Sequence, residues 1–256
     1  MSGPSNEGQT VPINGIDMYY EMRGEGEPLV LLHGGTGIGA HWQLIFSDSP
    51  SGYQSIIPDL RGHGRSTNPS AQVTFRQTAL DIFALLNHLG IEQFKAMGLS
   101  FGAKTLLHMA TQQPNRVEAM VLVSATPYFP EQARAIMRGL TAEMHSAEEW
   151  QQMRQWHKHG DEQIRALWKW ANSLKDSYDD MNFTPPYLST ITARTLIVHG
   201  DRDPLYPVDL ALEMYSAIPH SQLWVIPNGG HGPIFGEMAE PFAKTAVSFL
   251  NGKMSA

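Results

Sequence analysis

The 256-residue chain contains no cysteine. Disulfides, thiol nucleophiles and cysteine-based metal sites are thereby removed together. Charge is also sparse, at 17% of residues, and the balance is acidic: 18 basic against 25 acidic side chains give a formal net charge of −7. With no basic patch, the composition argues against nucleic acid as a partner. No apolar run approaches the ~18 residues that span a bilayer. The first residues, Met1–Gln9, are polar and glycine-rich and lack the basic and apolar regions of a signal peptide. That stretch is expected to be a frayed tail, and the default address is cytoplasmic. Eleven histidines raise the question of metal binding. No His-Glu-x-x-His pattern occurs, however, and His157 and His159 stand two apart in a polar segment, so neither a metal nor a cofactor is expected.

What is present is an alternation of strands and helices. Asn14-Gly15 is a hairpin turn joining Thr10–Ile13 to Ile16–Arg23. Leu29–Leu32 is continuously apolar, as in a strand buried on both faces, and Ser55–Ile57, Phe94–Leu99, Ala119–Ser124, Thr195–His199 and Leu223–Ile226 repeat that character. Helical periodicity falls between them at Thr74–Leu89, Phe101–Gln112, Val208–Ala217 and Glu237–Leu250. The order predicts an α/β fold: a mainly parallel sheet of about eight strands, flanked by helices and entered through an antiparallel hairpin.

Within that frame Gly98-Leu99-Ser100-Phe101-Gly102 ends a strand and opens an amphipathic helix carrying Leu106, Leu107 and Ala110. Strand, serine and helix in this order form a nucleophile elbow, whose turn is too sharp for side chains at the flanking glycines. A free serine hardly ionises near neutral pH. It needs a histidine to take its proton and a buried carboxylate to hold that histidine in the right tautomer.

Four motifs together make the chain resemble an α/β-hydrolase from about Thr10 to Leu250. They are His33-Gly34-Gly35-Thr36-Gly37, Asp59-Leu60-Arg61-Gly62-His63-Gly64-Arg65-Ser66, the Ser100 elbow, and Gly200-Asp201-Arg202-Asp203-Pro204 followed by Gly229-Gly230-His231-Gly232. The fold's chain order of serine, acid and histidine selects His231 as the base. His33 and His63 are expected to be structural, as is Asp59. Asp201 and Asp203 are both candidates for the acid. The resemblance places it three positions after the glycine, at Asp203, and implies that the backbone N–H groups of Gly35 and Phe101 form the oxyanion hole.

From Pro127 to about Pro186 the strand rhythm stops, and helical stretches run through Glu131–Leu140, Ala147–His157 and Asp161–Leu174. Trp150, Trp156, Trp168 and Trp170, four of the six tryptophans, crowd there. They can form the segment's own small core or roof a site, and insertion after the strand that follows the elbow helix decides for a cap. Residues 1–126 and 187–256 are therefore expected to form the hydrolase core and 127–186 a helical cap. Trp42, Phe101, Trp150, Trp156 and Trp168 are expected to line an apolar pocket. A serine at position 100 cannot form the alkyl–carboxylate ester of the family's haloalkane dehalogenases and epoxide hydrolases, which place aspartate there. The thirty-sixth residue, threonine, departs from the proline of prolyl aminopeptidases. The expected activity is hydrolysis of small, largely apolar carboxylic esters. The alternatives are lactone hydrolysis and carbon–carbon cleavage, the latter suggested by a similarity of Gly37-Ile38-Gly39-Ala40-His41-Trp42 to ring-fission hydrolases. A non-enzymatic small-molecule receptor of the same fold is the alternative of another class.

Overall fold

The architecture comes from a computed structural model that describes residues 8–254. Asn14 and Gly15 both take positive φ, 43° and 76°, and this primed turn joins β1 (Gln9–Ile13) to β2 (Ile16–Arg23) in antiparallel register. Most of the tail expected over Met1–Gln9 lies outside the described residues. Gln9 itself is not frayed: it pairs with Tyr20 in the first ladder.

The chain continues through β3 (Glu27–Leu32), β4 (Tyr53–Pro58), α1 (Phe75–His88), β5 (Phe94–Leu99), α2 (Phe101–Gln112) and β6 (Val117–Val123). A helical segment follows, made of α3 (Glu131–Arg138), α4 (Ala147–Trp156), α5 (Asp161–Ser173) and the single turn α6 (Pro185–Leu188). The sheet is then completed by β7 (Arg194–Gly200), α7 (Val208–Ala217), β8 (Ser221–Ile226) and α8 (Ala239–Leu250). Eight strands lie in the order β1-β2-β4-β3-β5-β6-β7-β8; β1–β2 and β2–β4 are antiparallel and the rest parallel. Glu237 and Met238 belong to a tight turn, so α8 begins two residues later than its periodicity suggests.

Strand alternation divides the apolar residues between two faces. In β3, Val30 and Leu32 join the core beneath α1 and α2, while Leu29 and Leu31 join the one that Phe242, Ala246 and Phe249 of α8 cover. The helix α2 differs from its expected amphipathic character: every residue from Phe101 to Ala110 is buried, including Lys104, Thr105 and His108. It packs on β5, β6 and α1, and the helical segment reaches it through Trp170 on Phe101 and through Asp180 and Phe183 on His108, which leaves Lys104, Thr105 and His108 buried.

The α3–α6 segment leaves and returns at one stem, where Tyr128 bridges Asn182 and the Phe183 N–H donates to the Pro127 carbonyl at 2.9 Å. Among the described residues no helix is long and apolar enough to cross a membrane.

Candidate active site

Parallel strands deliver their following loops to one edge of the sheet, and the motif residues converge there. Ser100 sits directly beyond β5 with φ 48° and ψ −99°, a strained backbone for any residue bearing a Cβ. Its N–H is tied to the Val123 carbonyl at 2.8 Å, and the Gly102 N–H to the His33 carbonyl at 3.0 Å. The glycines are steric necessities. A Cβ at Gly98 would stand 2.5 Å from the Gly102 carbonyl carbon, and one at Gly102 would stand 2.3 Å from the Leu32 oxygen.

His231, in the loop after β8, places Nε2 2.9 Å from Ser100 Oγ and Nδ1 2.8 Å from Asp203 Oδ2. The other Asp203 oxygen accepts the backbone N–H groups of Leu205 at 2.8 Å and Tyr206 at 3.2 Å. Burial pushes the Asp203 carboxyl up, but its hydrogen bond to His231, that ring's charge and the two N–H groups outweigh it, so the net shift is downward. Asp201, the other candidate, is exposed and, among the described residues, pairs with Arg202 at 4.0 Å. The Gly232 N–H is held by Ser124 Oγ at 3.1 Å. Ser124 is itself buried with φ 51° at the end of β6, which fixes the histidine loop to the sheet edge.

The N–H groups of Gly35 and Phe101 have no hydrogen-bond partner among the described residues. Phe101 opens α2, so a helix N-terminus also faces any oxygen placed there. Thr36, at φ 57°, shapes the adjoining turn. Its N–H donates to His63 Nε2 at 3.1 Å, and His63 in turn donates from Nδ1 to the Arg61 carbonyl. His33 accepts the Leu60 N–H at 2.9 Å. Asp59 accepts the N–H groups of Gly39 and Arg65. These three side chains thus brace the loops from below and leave Ser100 to His231. Burial drives the His63 pKa down to about 3, with His157 adding to the shift, so the brace holds as a neutral ring.

The tryptophans separate. A cavity of about 180 Å³ lies beside the Gly34–Gly37 loop, lined by His41, Trp42, Leu99, Trp156, Ile234 and Phe235. Trp150 and Trp168, expected in the pocket wall, are not among its lining residues. Trp150 donates to the Ala142 carbonyl with the guanidinium groups of Arg154 and Arg165 over its ring, and Trp168 packs on His145 with its N–H toward Met153. Both serve the packing of the helical segment. Trp170 instead reaches the site: its ring lies 4.7 Å from Phe101 and 5.7 Å from His63, and a Cβ on Gly35 would touch it at 3.4 Å. Phe101, also expected in the pocket lining, is not among the cavity's lining residues and is buried under that ring and against Phe75. The signal for Trp170 was the aromatic crowd itself; which ring turns inward depends on how α5 packs.

Two further contributions were not read from the sequence. His157, at the end of α4, accepts the Gly64 N–H at Nδ1 and donates from Nε2 to the Thr36 carbonyl, joining the helical segment to two loops of the site. Lys104, one helical turn beyond Ser100, is 2% exposed, and its Nζ lies 3.3 Å from Ser100 Oγ and 3.0 Å from the Tyr206 hydroxyl. Burial brings its pKa from 10.5 to about 7, with Asp203 pulling in the opposite sense.

The family model described as the α/β hydrolase fold matches residues 27–156. The chain belongs to this family. It is 30% identical to the 2-hydroxy-6-oxononadienedioate/2-hydroxy-6-oxononatrienedioate hydrolase 2 of Pseudomonas putida, over 92% of each chain. To the human serine hydrolase BPHL it is 26% identical, over 97% of this chain and 88% of that one. Among solved structures, an S103A mutant of the meta-cleavage product hydrolase CumD from Pseudomonas fluorescens IP01 superimposes with a TM-score of 0.80 at 22% identity, over 96% of this hydrolase and 98% of that chain.

Proposed function

We propose that this hydrolase cleaves small, largely apolar carboxylic esters through a covalent acyl-enzyme. The observation that carries this reading is the unbroken run Ser100 Oγ–His231–Asp203 at 2.9 and 2.8 Å. His231 takes the Ser100 proton as Oγ attacks the ester carbonyl, and the Gly35 and Phe101 N–H groups receive the developing oxyanion. Collapse expels the alcohol, which carries away the proton from His231. A water then repeats the sequence on the acyl carbon and frees the acid.

The α3–α6 segment acts as a cap, with Trp170 and Trp156 on its site-facing side. The cavity beside Trp42 and Trp156 is smaller than the ~300 Å³ at which drug-sized pockets begin, and its lining side chains include no Arg or Lys. Both features favour a short, uncharged group there. A second reading, carbon–carbon bond hydrolysis on the same triad, draws support from the relatives named above, two of which are named for such dioates and meta-cleavage products.

A fluorophosphonate should label Ser100, and the protein should turn over a short p-nitrophenyl ester faster than a vinylogous diketone acid. The reverse preference transfers the assignment to carbon–carbon cleavage. Labelling with no turnover of esters, lactones or diketones makes the protein a receptor. Nothing in the scheme uses a metal, so activity should survive EDTA; loss restored by a divalent ion contradicts it.

A further inference from the structure

Lys104 is a buried amine without a carboxylate to neutralise it. Among the described residues no acid lies within ion-pair distance of Nζ. Three aromatic rings surround it instead, Tyr206, Phe75 and Phe129, with centroids at 4.8, 5.6 and 5.7 Å. Its polar contacts are the Ser100 hydroxyl and the Tyr206 hydroxyl. An amine placed this way costs folding free energy, because burial disfavours its charged form and no ionic partner offsets that. Packing alone would be served better by methionine, which has similar volume and no desolvation cost.

The hydrogen-bond inventory around Ser100 shows what the amine does there. Oγ has one proton, directed to His231 Nε2, and two lone pairs. Lys104 Nζ donates to Oγ at 3.3 Å, beside the 2.9 Å contact from His231. Asp203, whose charge acts on it, is already engaged by His231, Leu205 and Tyr206. Tyr206 contributes twice, its backbone N–H donating to Asp203 and its phenol oxygen accepting from Lys104, so a single residue aligns the acid and the amine.

Resting on the Ser100 acyl-enzyme reading, we infer that Lys104 is a fourth catalytic side chain, donating a hydrogen bond to Ser100 Oγ whenever that oxygen carries negative charge. In acylation the O–H bond breaks toward His231 as the Oγ–C bond forms, and the Lys104 N–H stabilises the charge passing through Oγ. In deacylation water adds to the acyl carbon with its proton going to His231. The C–Oγ bond then breaks, its electron pair stays on Oγ, and His231 returns the proton while Lys104 supports the leaving oxygen. Lys104 keeps its own protons throughout, and an amine donates N–H in either protonation state.

The test compares wild type with Lys104→Met, reading fluorophosphonate labelling of Ser100, pre-steady-state turnover of a p-nitrophenyl ester, and Tm. The labelling rate and kcat are expected to fall ~10- to 100-fold, the effect of losing one charge-assisted hydrogen bond, with KM little changed and Tm raised. A lysine kept for structure behaves otherwise: Lys104→Met would lower Tm and leave the per-molecule labelling rate of the folded protein unchanged. Because the chain has no cysteine, Lys104→Cys can be aminoethylated in denaturant and refolded, which rebuilds the amine at that single position. Recovery of the labelling rate supports the inference; a refolded, aminoethylated protein that labels no faster than its unmodified form overturns it. If wild type itself gains no adduct on Ser100, the acyl-enzyme reading fails. Equal labelling of wild type and Lys104→Met sinks the Lys104 role alone.

Discussion

The sheet edge and the α3–α6 segment that covers it are built on different principles. At the edge, position is set by backbone. The strain at Ser100, the bonds from Ser100 N–H to Val123 and from Gly102 N–H to His33, and glycines with no room for a Cβ leave one arrangement. In the helical segment, side chains carry more of the positioning: Trp170 on Phe101, Trp168 on His145, and His157 on Thr36 and Gly64, beside backbone ties at the stem and from the Lys158 N–H to the Gly64 carbonyl. Chemistry that tolerates little displacement is carried by the first kind of construction, and a wall that has only to fit an apolar group by the second. Perturbing the edge should therefore affect rate, and perturbing the segment should affect substrate preference and stability.

The largest effect belongs to the edge. Ser100→Ala is expected to lower kcat/KM by ~10³-fold or more, with His231→Ala comparable and Asp203→Asn somewhat milder. Tm should hold or rise, since alanine removes an atom from a strained turn without leaving a cavity in the core. Asp201→Asn should stay near wild type because that carboxylate faces Arg202 rather than His231. Steady-state kinetics with thermal melts decide the matter, and an Asp201 variant more damaged than the Asp203 one would reassign the acid.

The next effect tests the cap. Trp170→Ala removes a ring that is 7% exposed and wedged against Phe101, Phe75 and His63, so a loss of ~3–5 kcal/mol in stability is expected. In protein that remains folded, KM and acyl-length preference should change more than the rate at which a small fluorophosphonate labels Ser100. Equal losses in labelling and turnover would mean that the segment positions the nucleophile, and the contrast between the two regions would collapse.

The same contrast explains what could be read from the amino-acid sequence. The elbow, the hairpin turn and the loop glycines were legible because each is a local steric requirement with a fixed spacing. Asp203 came from the resemblance, which places the acid three positions after Gly200; the residues alone left Asp201 and Asp203 both open, and the structure sets Asp203, not Asp201, against His231. Lys104 was not legible. On a helix expected to be amphipathic a lysine reads as solvent-facing, and only the burial of α2 on every side turns it toward Ser100. The inward and outward tryptophans of α4 and α5 likewise depend on packing between helices, which periodicity does not encode.

Acid should loosen the junction between the two regions. His157 uses Nδ1 as an acceptor for Gly64 N–H, so a proton there breaks that bond. Burial lowers its pKa to about 4, against the pull of its bond to Thr36. Between an unfolded value of ~6.5 and 4 the unfolded chain binds a proton that the folded site refuses, so stability falls as pH drops through this window. Each such ring contributes up to ~1.4 kcal/mol per pH unit, and His63 extends the trend toward its value of about 3. Melting curves from pH 7 to 4.5 should show this slope, and His157→Ala should be less stable at pH 7 yet flatter in its pH dependence. An unchanged slope would place the titration elsewhere.

The smallest effect is expected where the segment turns outward. Trp150 has its indole N–H on the Ala142 carbonyl and, over its ring, the guanidinium groups of Arg154 and Arg165, which are paired in turn with Asp161 and Glu143. These contacts lie on the surface, where cation–π and ion pairs each contribute ~1 kcal/mol or less. Trp150→Ala should therefore lower Tm slightly and leave kcat, KM and acyl preference within about twofold of wild type. Trp156→Ala, one of the rings beside the cavity, should shift acyl preference in the same assay. If the Trp150 variant alters selectivity as much as the Trp156 variant, the segment transmits its packing to the site as a unit, and the division between inward and outward rings loses its functional meaning.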